Sequence, residues 1–404
     1  MAAMGLSRES PSSPWRLPLF RTKATTTFTG RDAGMRDHAA LRWTSGGGAV
    51  RAFGFLSFGH YGHSPGSMAR TSAEMIRQAV EIGVGADALG VNGAYFRVHH
   101  FARQQAAPMP LLAAIAARTQ RIEVGTGVID MRYENPLYLA EEAAALDAIA
   151  QGRIALGISR GSPEPALRGY EAFGYTGAAD PRGGDLAREK FALFLRAIRG
   201  EPIAPGDPQM VGAGQRLAIE PRAPELVKRI WWGSGTRETA EWVGRQGLNL
   251  MSSTLLTEDG GKPFHALQAE QIARFRQAYR EAGHSGTPRV SVSRSVFPIV
   301  NALDARYFGQ RGEGSSDTVG IIDGFRSTFG KTYADTPDRL IDQLKADSAV
   351  MAADTLMLTI PSQLGPDYNL HVLESFARHV APALGWKPNS EGPVVGDPVG
   401  PAEA

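Results

Sequence analysis

Cysteine is absent from the 404 residues of this sequence, and lysine is scarce, with seven residues among the 43 lysines and arginines. Without cysteine the chain has no disulfides, thiolate-bound metals or cysteine nucleophiles. This is compatible with a cytoplasmic protein, which we expect here. Schiff-base chemistry in a barrel needs a lysine on a strand, and Lys228 only precedes one, so that chemistry is disfavoured.

Long apolar runs and an excess of one charge are also missing. No stretch approaches the ~20 continuous apolar residues of a membrane-spanning helix. The 43 basic residues nearly balance the 41 acidic ones, which leaves a formal charge of +2. Such a balance is not typical of proteins that bind nucleic acids or anionic membranes. We therefore expect neither nucleic acid nor membrane as a partner.

What the sequence does contain is a regular alternation of strand and helix patterns. Eight apolar runs of strand length alternate with eight segments of helix length, which favours an α/β fold of the (β/α)8 TIM-barrel class over an open doubly wound sheet. The first helix is predicted over 72–83, ending at Gly83. The predicted strands cover 52–58, 88–96, 121–129, 153–159, 229–235, 248–253, 289–300 and 355–361.

The barrel region, 51–386, is longer than the roughly 250 residues typical of this fold. We place the extra residues in insertions that are rich in glycine, proline and polar residues. These insertions are 161–183 after strand four, 201–227 around the fourth helix and 301–336 after strand seven.

Both ends of the sequence differ from the barrel region in composition. Residues 1–50 carry arginine, serine and threonine without apolar periodicity and are predicted to be a disordered extension. A transit peptide has a similar composition and remains an alternative. Residues 387–404 are rich in proline and glycine and are predicted to be a disordered tail.

Polar or glycine residues stand where several predicted strands end. In a TIM barrel the carboxyl ends of the strands meet at one face, where active sites are built. The residues concerned are His60 and His63 after strand one, His99 and His100 after strand two, Thr126, Gly127 and Val128 in strand three, Ser159 and Arg160 after strand four, and 233–236 after strand five. We expect them to surround one cleft.

The four histidines at these ends do not form a convincing metal site. No carboxylate stands at a neighbouring strand end, and His60 and His63 lack the His-x-His spacing of metal-dependent hydrolase barrels. We therefore predict no metal, and we expect one histidine of the pair 99–100 to act as an acid, a base or a substrate contact.

The segment 233–247, GSGTRETAEWVGRQG, combines a glycine-rich strand end with the start of a helix. A helix N-terminus offers unpaired N–H groups and a partial positive charge, which favour a phosphate. The alternative is an ordinary turn capped by Thr236. Arg160 and Arg188 favour the phosphate, because guanidinium groups bind it in a bidentate way.

These residues together resemble the luciferase-like flavin-dependent monooxygenase family over about 52–385. The similarity lies in HHF at 99–101, RTQRIEVGTGV at 118–128, the segment 135–161 and the segment 233–247. It implies a TIM barrel that binds FMN across the barrel mouth. Carried over residue by residue, it implies a cis peptide between Gly127 and Val128 beneath the flavin ring, and phosphate contacts from Arg160, Arg188, Gly235 and Thr236. It also implies catalytic roles for His99 and for Ser159, which stands where luciferases have a cysteine.

The function implied by the resemblance is oxygenation of a small organic substrate with O2 and reduced FMN, which a separate flavin reductase supplies to a homodimer. A deazaflavin-dependent hydride-transfer enzyme and a non-catalytic flavin-binding subunit remain alternatives. One departure is Val98, which occupies a position often filled by an acidic residue. The insertion 301–336 resembles a lid over the flavin in relatives, with a surface loop as the alternative.

Overall fold

The structure is a computed structural model that describes residues 50–161, 164–257, 261–312, 315–322 and 325–392. Eight parallel strands close into a barrel, since β7 pairs with both β6 and β8, and β8 pairs with β1. The (β/α)8 prediction is therefore confirmed. The strands are β1 (Ala52–Ser57), β2 (Gly93–Phe96), β3 (Glu123–Thr126), β4 (Ile154–Ser159), β5 (Ile230–Ser234), β6 (Asn249–Ser252), β7 (Val290–Pro298) and β8 (Thr355–Thr359).

Eight helices follow the strands and cover the outside of the barrel. They are α1 (Ser72–Ala88), α2 (Pro108–Ala116), α3 (Pro136–Ile149), α4 (Gly184–Ile198), α5 (Arg237–Arg245), α6 (Phe264–Glu281), α7 (Pro337–Ala346) and α8 (Gly365–His379). The strands are buried on both faces, as expected for a parallel sheet with helices outside. None of these helices is both long enough and apolar enough to cross a membrane, as far as the described residues extend.

Helix α1 differs from its prediction, because it continues through Gly83 to Ala88. A Cβ atom at position 83 would lie 2.8 Å from Cγ2 of Ile115 in α2. The glycine therefore allows two helices to approach closely and does not end the first one. This longer helix also explains why β2 starts at Gly93 and not at residue 88.

Polar side chains fill the barrel interior near the amino ends of the strands. The Tyr95 hydroxyl donates to Glu123 Oε1 at 2.6 Å, and Arg289 pairs with the same carboxylate at 2.8 Å. The Arg289 guanidinium also lies 4.6 Å from the centre of the Trp231 ring. All four side chains are buried. Buried side chains therefore fill this end of the barrel.

The three predicted insertions contain secondary structure in the described residues. The first carries a 3-10 helix (Gly169–Phe173), and the second carries a two-stranded sheet formed by Ala204–Pro205 and Arg216–Leu217. In the third, a helix (Ala302–Gly312) is followed by the antiparallel strands Thr318–Ile322 and Phe325–Phe329. The predicted lid is thus built from a helix and a hairpin, and its role as a lid stays a prediction.

The predicted disorder at the two ends falls mostly on residues 1–49 and 393–404, which lie outside the described residues. At the first described residue, Val50, the side chain is buried and the N–H donates to the carbonyl of Leu384 at 3.0 Å. At the other end, Asn389 is buried and its N–H donates to the carbonyl of Gly90 at 2.8 Å. The part of the chain that packs on the barrel therefore continues past the predicted boundary at residue 387.

Candidate flavin site at the carboxyl end of the barrel

His99 follows β2 at the mouth of the barrel and is buried. Burial lowers its pKa to about 4, and the nearby Arg97, His100 and His60 add to the effect. At neutral pH the imidazole is therefore uncharged. It can accept a proton or a hydrogen bond, but it is not an imidazolium acid.

An acidic residue does lie beside the histidine pair, although it does not come from position 98. Val98 is buried in the hydrophobic core. Instead, the Glu164 carboxylate from the first insertion accepts a hydrogen bond from the backbone N–H of His100 at 3.1 Å and another from the Tyr133 hydroxyl. The His100 ring stacks on Tyr133 with centroids 4.1 Å apart. Sequence reasoning missed Glu164, because nothing in a long insertion indicates which residue folds back.

Strand β3 ends at Thr126. The peptide bond between the two residues that follow, Gly127 and Val128, is cis, as the resemblance implied. A Cβ at position 127 would lie 2.8 Å from Cδ1 of Leu56, so glycine is required for this packing. Val128 packs on the apolar side chains of the barrel interior. A Cβ at position 233, at the end of β5, would lie 3.1 Å from Val128 Cγ1. Val128 therefore forms an apolar platform between β3 and β5.

Ser159 ends β4 next to this platform and is buried. Its Oγ accepts the N–H of Gly161 at 2.7 Å, which leaves the hydroxyl proton to donate. Gly161 has a φ of +85°, and a Cβ there would overlap the carboxylate of Asp130. Burial raises the pKa of Asp130 to about 6, and its pairing with Arg132 opposes that rise. The turn after β4 is thus tightly constrained around Ser159.

The two predicted phosphate arginines lie on neighbouring parts of the fold. Half-buried Arg160 extends toward the start of α4, where a Cβ at position 184 would lie 3.3 Å from its Cδ. Arg188, on α4, is exposed, and its guanidinium lies 5.1 Å from the centre of the Trp242 ring of α5. Trp242 is six residues after Thr236, so the structure places Arg188 against the second half of α5.

Thr236 caps α5, since its side chain accepts the N–H of Thr239 at 3.1 Å. A Cβ at position 235 would meet its nearest neighbour, the Leu255 carbonyl, at 3.5 Å, an ordinary contact distance. A side chain at position 235 would therefore be in ordinary contact with the segment 255–257. The capped start of α5 offers backbone N–H groups and a partial positive charge, and these fit a phosphate group.

Two buried glutamines of α6, Gln268 and Gln271, lie beneath the ends of β5 and β6 and were missed by sequence reasoning. Their three-residue spacing on a helix is visible in the sequence, but it is equally common on exposed faces. As for metals, no group of three or more metal-binding side chains occurs in the part of the chain that the structure describes.

Comparison with known proteins gives this geometry a family. Residues 52–307 match the model of the luciferase-like monooxygenases. The oxygenase component of the flavin-dependent trigonelline monooxygenase of Acinetobacter baylyi is 33% identical over 196 residues, 46% of this chain and 52% of that protein. The chain spans about half the length of the first curated relatives that it matches.

Solved structures share the fold. The oxygenating constituent of 3,6-diketocamphane monooxygenase from Pseudomonas putida, in complex with FMN, has a TM-score of 0.61 at 18% identity, over 82% of this chain and 98% of that one. The coenzyme F420 dependent tetrahydromethanopterin reductase from Methanopyrus kandleri has a TM-score of 0.55 at 16% identity, over 83% and 99%. These likenesses show the fold, while the family model matches more than half of the sequence. The chain belongs to the luciferase-like monooxygenase family.

Proposed function

We propose that this chain is the oxygenating component of a two-component flavin monooxygenase. A separate reductase delivers reduced FMN, O2 is the oxidant, and one oxygen atom enters a small organic substrate; the active form is a homodimer. Bound reduced FMN supplies the electrons that activate O2. The observation that carries the proposal is that His99, the Val128 platform and the capped start of α5 all stand at the carboxyl end of one barrel.

The phosphate would be held by Gly235, Thr236 and Arg160, with Arg188 as a further contact from α4. The Arg188 guanidinium packs on Trp242 in the second half of α5. The flavin ring would lie over Gly127 and Val128, whose apolar surface is backed by the barrel interior. This arrangement would anchor the charged end of the cofactor by its phosphate.

His99 and Ser159 would act on the bound substrate from the mouth of the barrel. Because the pKa of His99 is about 4, its neutral imidazole serves as a proton acceptor or hydrogen-bond partner and not as a proton donor. Ser159 keeps a hydroxyl proton to donate, since its oxygen already accepts from Gly161. The retained histidine also argues against a non-catalytic subunit.

The test is to supply reduced FMN or a reduced deazaflavin to the purified protein, in air and under nitrogen, with a panel of small substrates that includes trigonelline. We expect product only with FMN and O2, carrying one atom of 18O from 18O2. Turnover with deazaflavin under nitrogen would instead establish hydride transfer, the second candidate function. The chain shares its fold with the coenzyme F420 dependent reductase described above.

A further inference from the structure

Gln268 and Gln271 lie three residues apart on the buried face of α6, and both are 0% exposed. Fully buried amides are costly unless they are hydrogen-bonded, so their partners indicate their purpose. The partners are Ser252 and Ser253 at the end of β6, and Ser234 and Thr236 of the candidate phosphate loop 234–236.

Gln271 holds the phosphate loop by its backbone. Its Nε2 donates to the carbonyl of Thr236 at 3.0 Å and to the carbonyl of Ser234 at 3.3 Å. Its Oε1 accepts the hydroxyl of Ser252 at 2.6 Å. Gln268 donates to the same Ser252 hydroxyl at 2.9 Å and to the carbonyl of Ser253, also at 2.9 Å. The two amides thus form a bridge from α6 to both strand ends, and only Gln271 touches the loop.

The direction of these carbonyls determines where the loop can donate hydrogen bonds. In a trans peptide the C=O and the following N–H point to opposite sides. Because the carbonyls of Ser234 and Thr236 are turned toward Gln271, the N–H groups of Gly235 and Arg237 point away from α6. These are the donors that a phosphate at the start of α5 would use.

We propose that Gln271 is a positioning residue that gives the site its preference for a phosphorylated flavin, an inference that rests on the proposed function. It contacts no ligand itself. The Ser234 carbonyl also accepts the N–H of Ser253 at 2.9 Å, and the Thr236 carbonyl accepts the N–H of Ala240 at 3.1 Å. Together with these bonds, Gln271 keeps the N–H groups of Gly235 and Arg237 oriented before the cofactor arrives, so that binding does not require the loop to rearrange. A glutamine that merely attached α6 to the barrel would affect stability and would not affect recognition of the phosphate.

The experiment compares reduced FMN with reduced riboflavin, which lacks the phosphate, by calorimetry under nitrogen. Gln271→Met keeps the length of the side chain and removes its amide, and Gln268→Met is the matched control on the same buried face. We expect Gln271→Met to weaken FMN binding about tenfold, a loss of ~1.4 kcal/mol, and riboflavin binding less than about twofold. Gln268→Met should lower the melting temperature similarly and keep the FMN-to-riboflavin ratio within about twofold of wild type.

An unchanged ratio in Gln271→Met, beside a wild type that prefers FMN, would overturn the inference. A wild type with no preference for FMN would overturn the phosphate site of the proposed function instead. If Gln271→Met does not fold, Ser252→Ala decides, because it removes the hydroxyl that holds the Gln271 amide oxygen. Gln268→Met remains its control, since both changes break the Gln268–Ser252 hydrogen bond. A ratio lowered about threefold in Ser252→Ala supports the inference, and an unchanged ratio refutes it.

Discussion

At the scale of single residues, the barrel mouth is organised by positive and neutral groups around His99. The Arg97 guanidinium lies 4.7 Å from the centre of the Phe58 ring, which packs on the barrel interior beside Val128. Burial lowers the pKa of His60 as well as that of His99. The histidines are therefore neutral in the folded protein at neutral pH, which suits contact with a substrate that must leave water.

This environment predicts how stability depends on pH. The pKa of His99 is about 4 in the folded chain, below its ordinary value of 6.5, so the unfolded chain binds the proton more readily. Keeping His99 neutral therefore costs no stability above pH 6.5, where the unfolded chain is also unprotonated at this residue. The free energy of unfolding decreases as the pH falls from 6.5 toward 4, because only the unfolded chain takes up the proton. We expect the free energy of unfolding from urea titrations to fall less steeply over that range in His99→Asn than in wild type. Parallel curves for the two proteins would contradict the burial of a neutral His99.

The catalytic role of His99 predicts a different change. His99→Ala should lower turnover about tenfold, the loss of one hydrogen bond of ~1.4 kcal/mol to the reacting substrate, while FMN affinity stays within about threefold. His63→Ala is the control, because His63 is exposed in the loop after β1. Steady-state rates with a fixed supply of reduced FMN check both variants. Full activity in His99→Ala would remove the residue from the mechanism.

At the scale of elements, close packing between helices decides boundaries that local pattern misses. Gly83 has the appearance of a helix stop, yet α1 continues through it. The residue is glycine because α2 approaches too closely there for a side chain. Gly309, in the helix Ala302–Gly312, has more space. Apart from the backbone of this helix, the nearest atom to a Cβ at position 309 would be the Cβ of Ala305, at 3.9 Å.

The two glycines should therefore respond oppositely to alanine. Gly83→Ala should lower the free energy of unfolding by about 1–3 kcal/mol, because the new methyl group overlaps Ile115. Gly309→Ala should raise it by up to about 1 kcal/mol, because alanine favours helix and meets no clash. Chemical denaturation of both variants checks the pair. A stabilised Gly83→Ala would show that α1 and α2 are not in this close contact.

At the scale of the whole molecule, a buried polar cluster fills the amino end of the barrel. The filled end depends on Glu123, which pairs with Arg289 and accepts from Tyr95. Glu123→Leu leaves a buried guanidinium without its carboxylate and should cost about 3–5 kcal/mol of stability. Replacing both Glu123 and Arg289 by leucine should cost less than the single change. Glu225→Ala, at an exposed pair with Lys228, should change stability by less than about 1 kcal/mol. Melting temperatures of the three variants test this, and equal losses in all three would contradict it.

The sequence predicts the barrel well, because its strands are apolar on both faces and its strand ends carry recognisable polar motifs. His99, Val128, Ser159 and Thr236 are found at one end of the barrel, although the tests of their roles lie ahead. Glu164 and Gln271 could not be predicted, because their importance comes from contacts with residues far away in the chain. Periodicity reports which face of an element is buried, and it does not report which partner a buried polar group meets.

The central claim is that the carboxyl end of this barrel holds FMN with its phosphate at the start of α5. A crystal structure of the protein with FMN tests it most directly. We expect the phosphate within hydrogen-bonding distance of Thr236 and Arg160, and the flavin ring on Val128 with His99 beside it. A phosphate bound elsewhere, or a ring that does not contact Val128, would contradict the account.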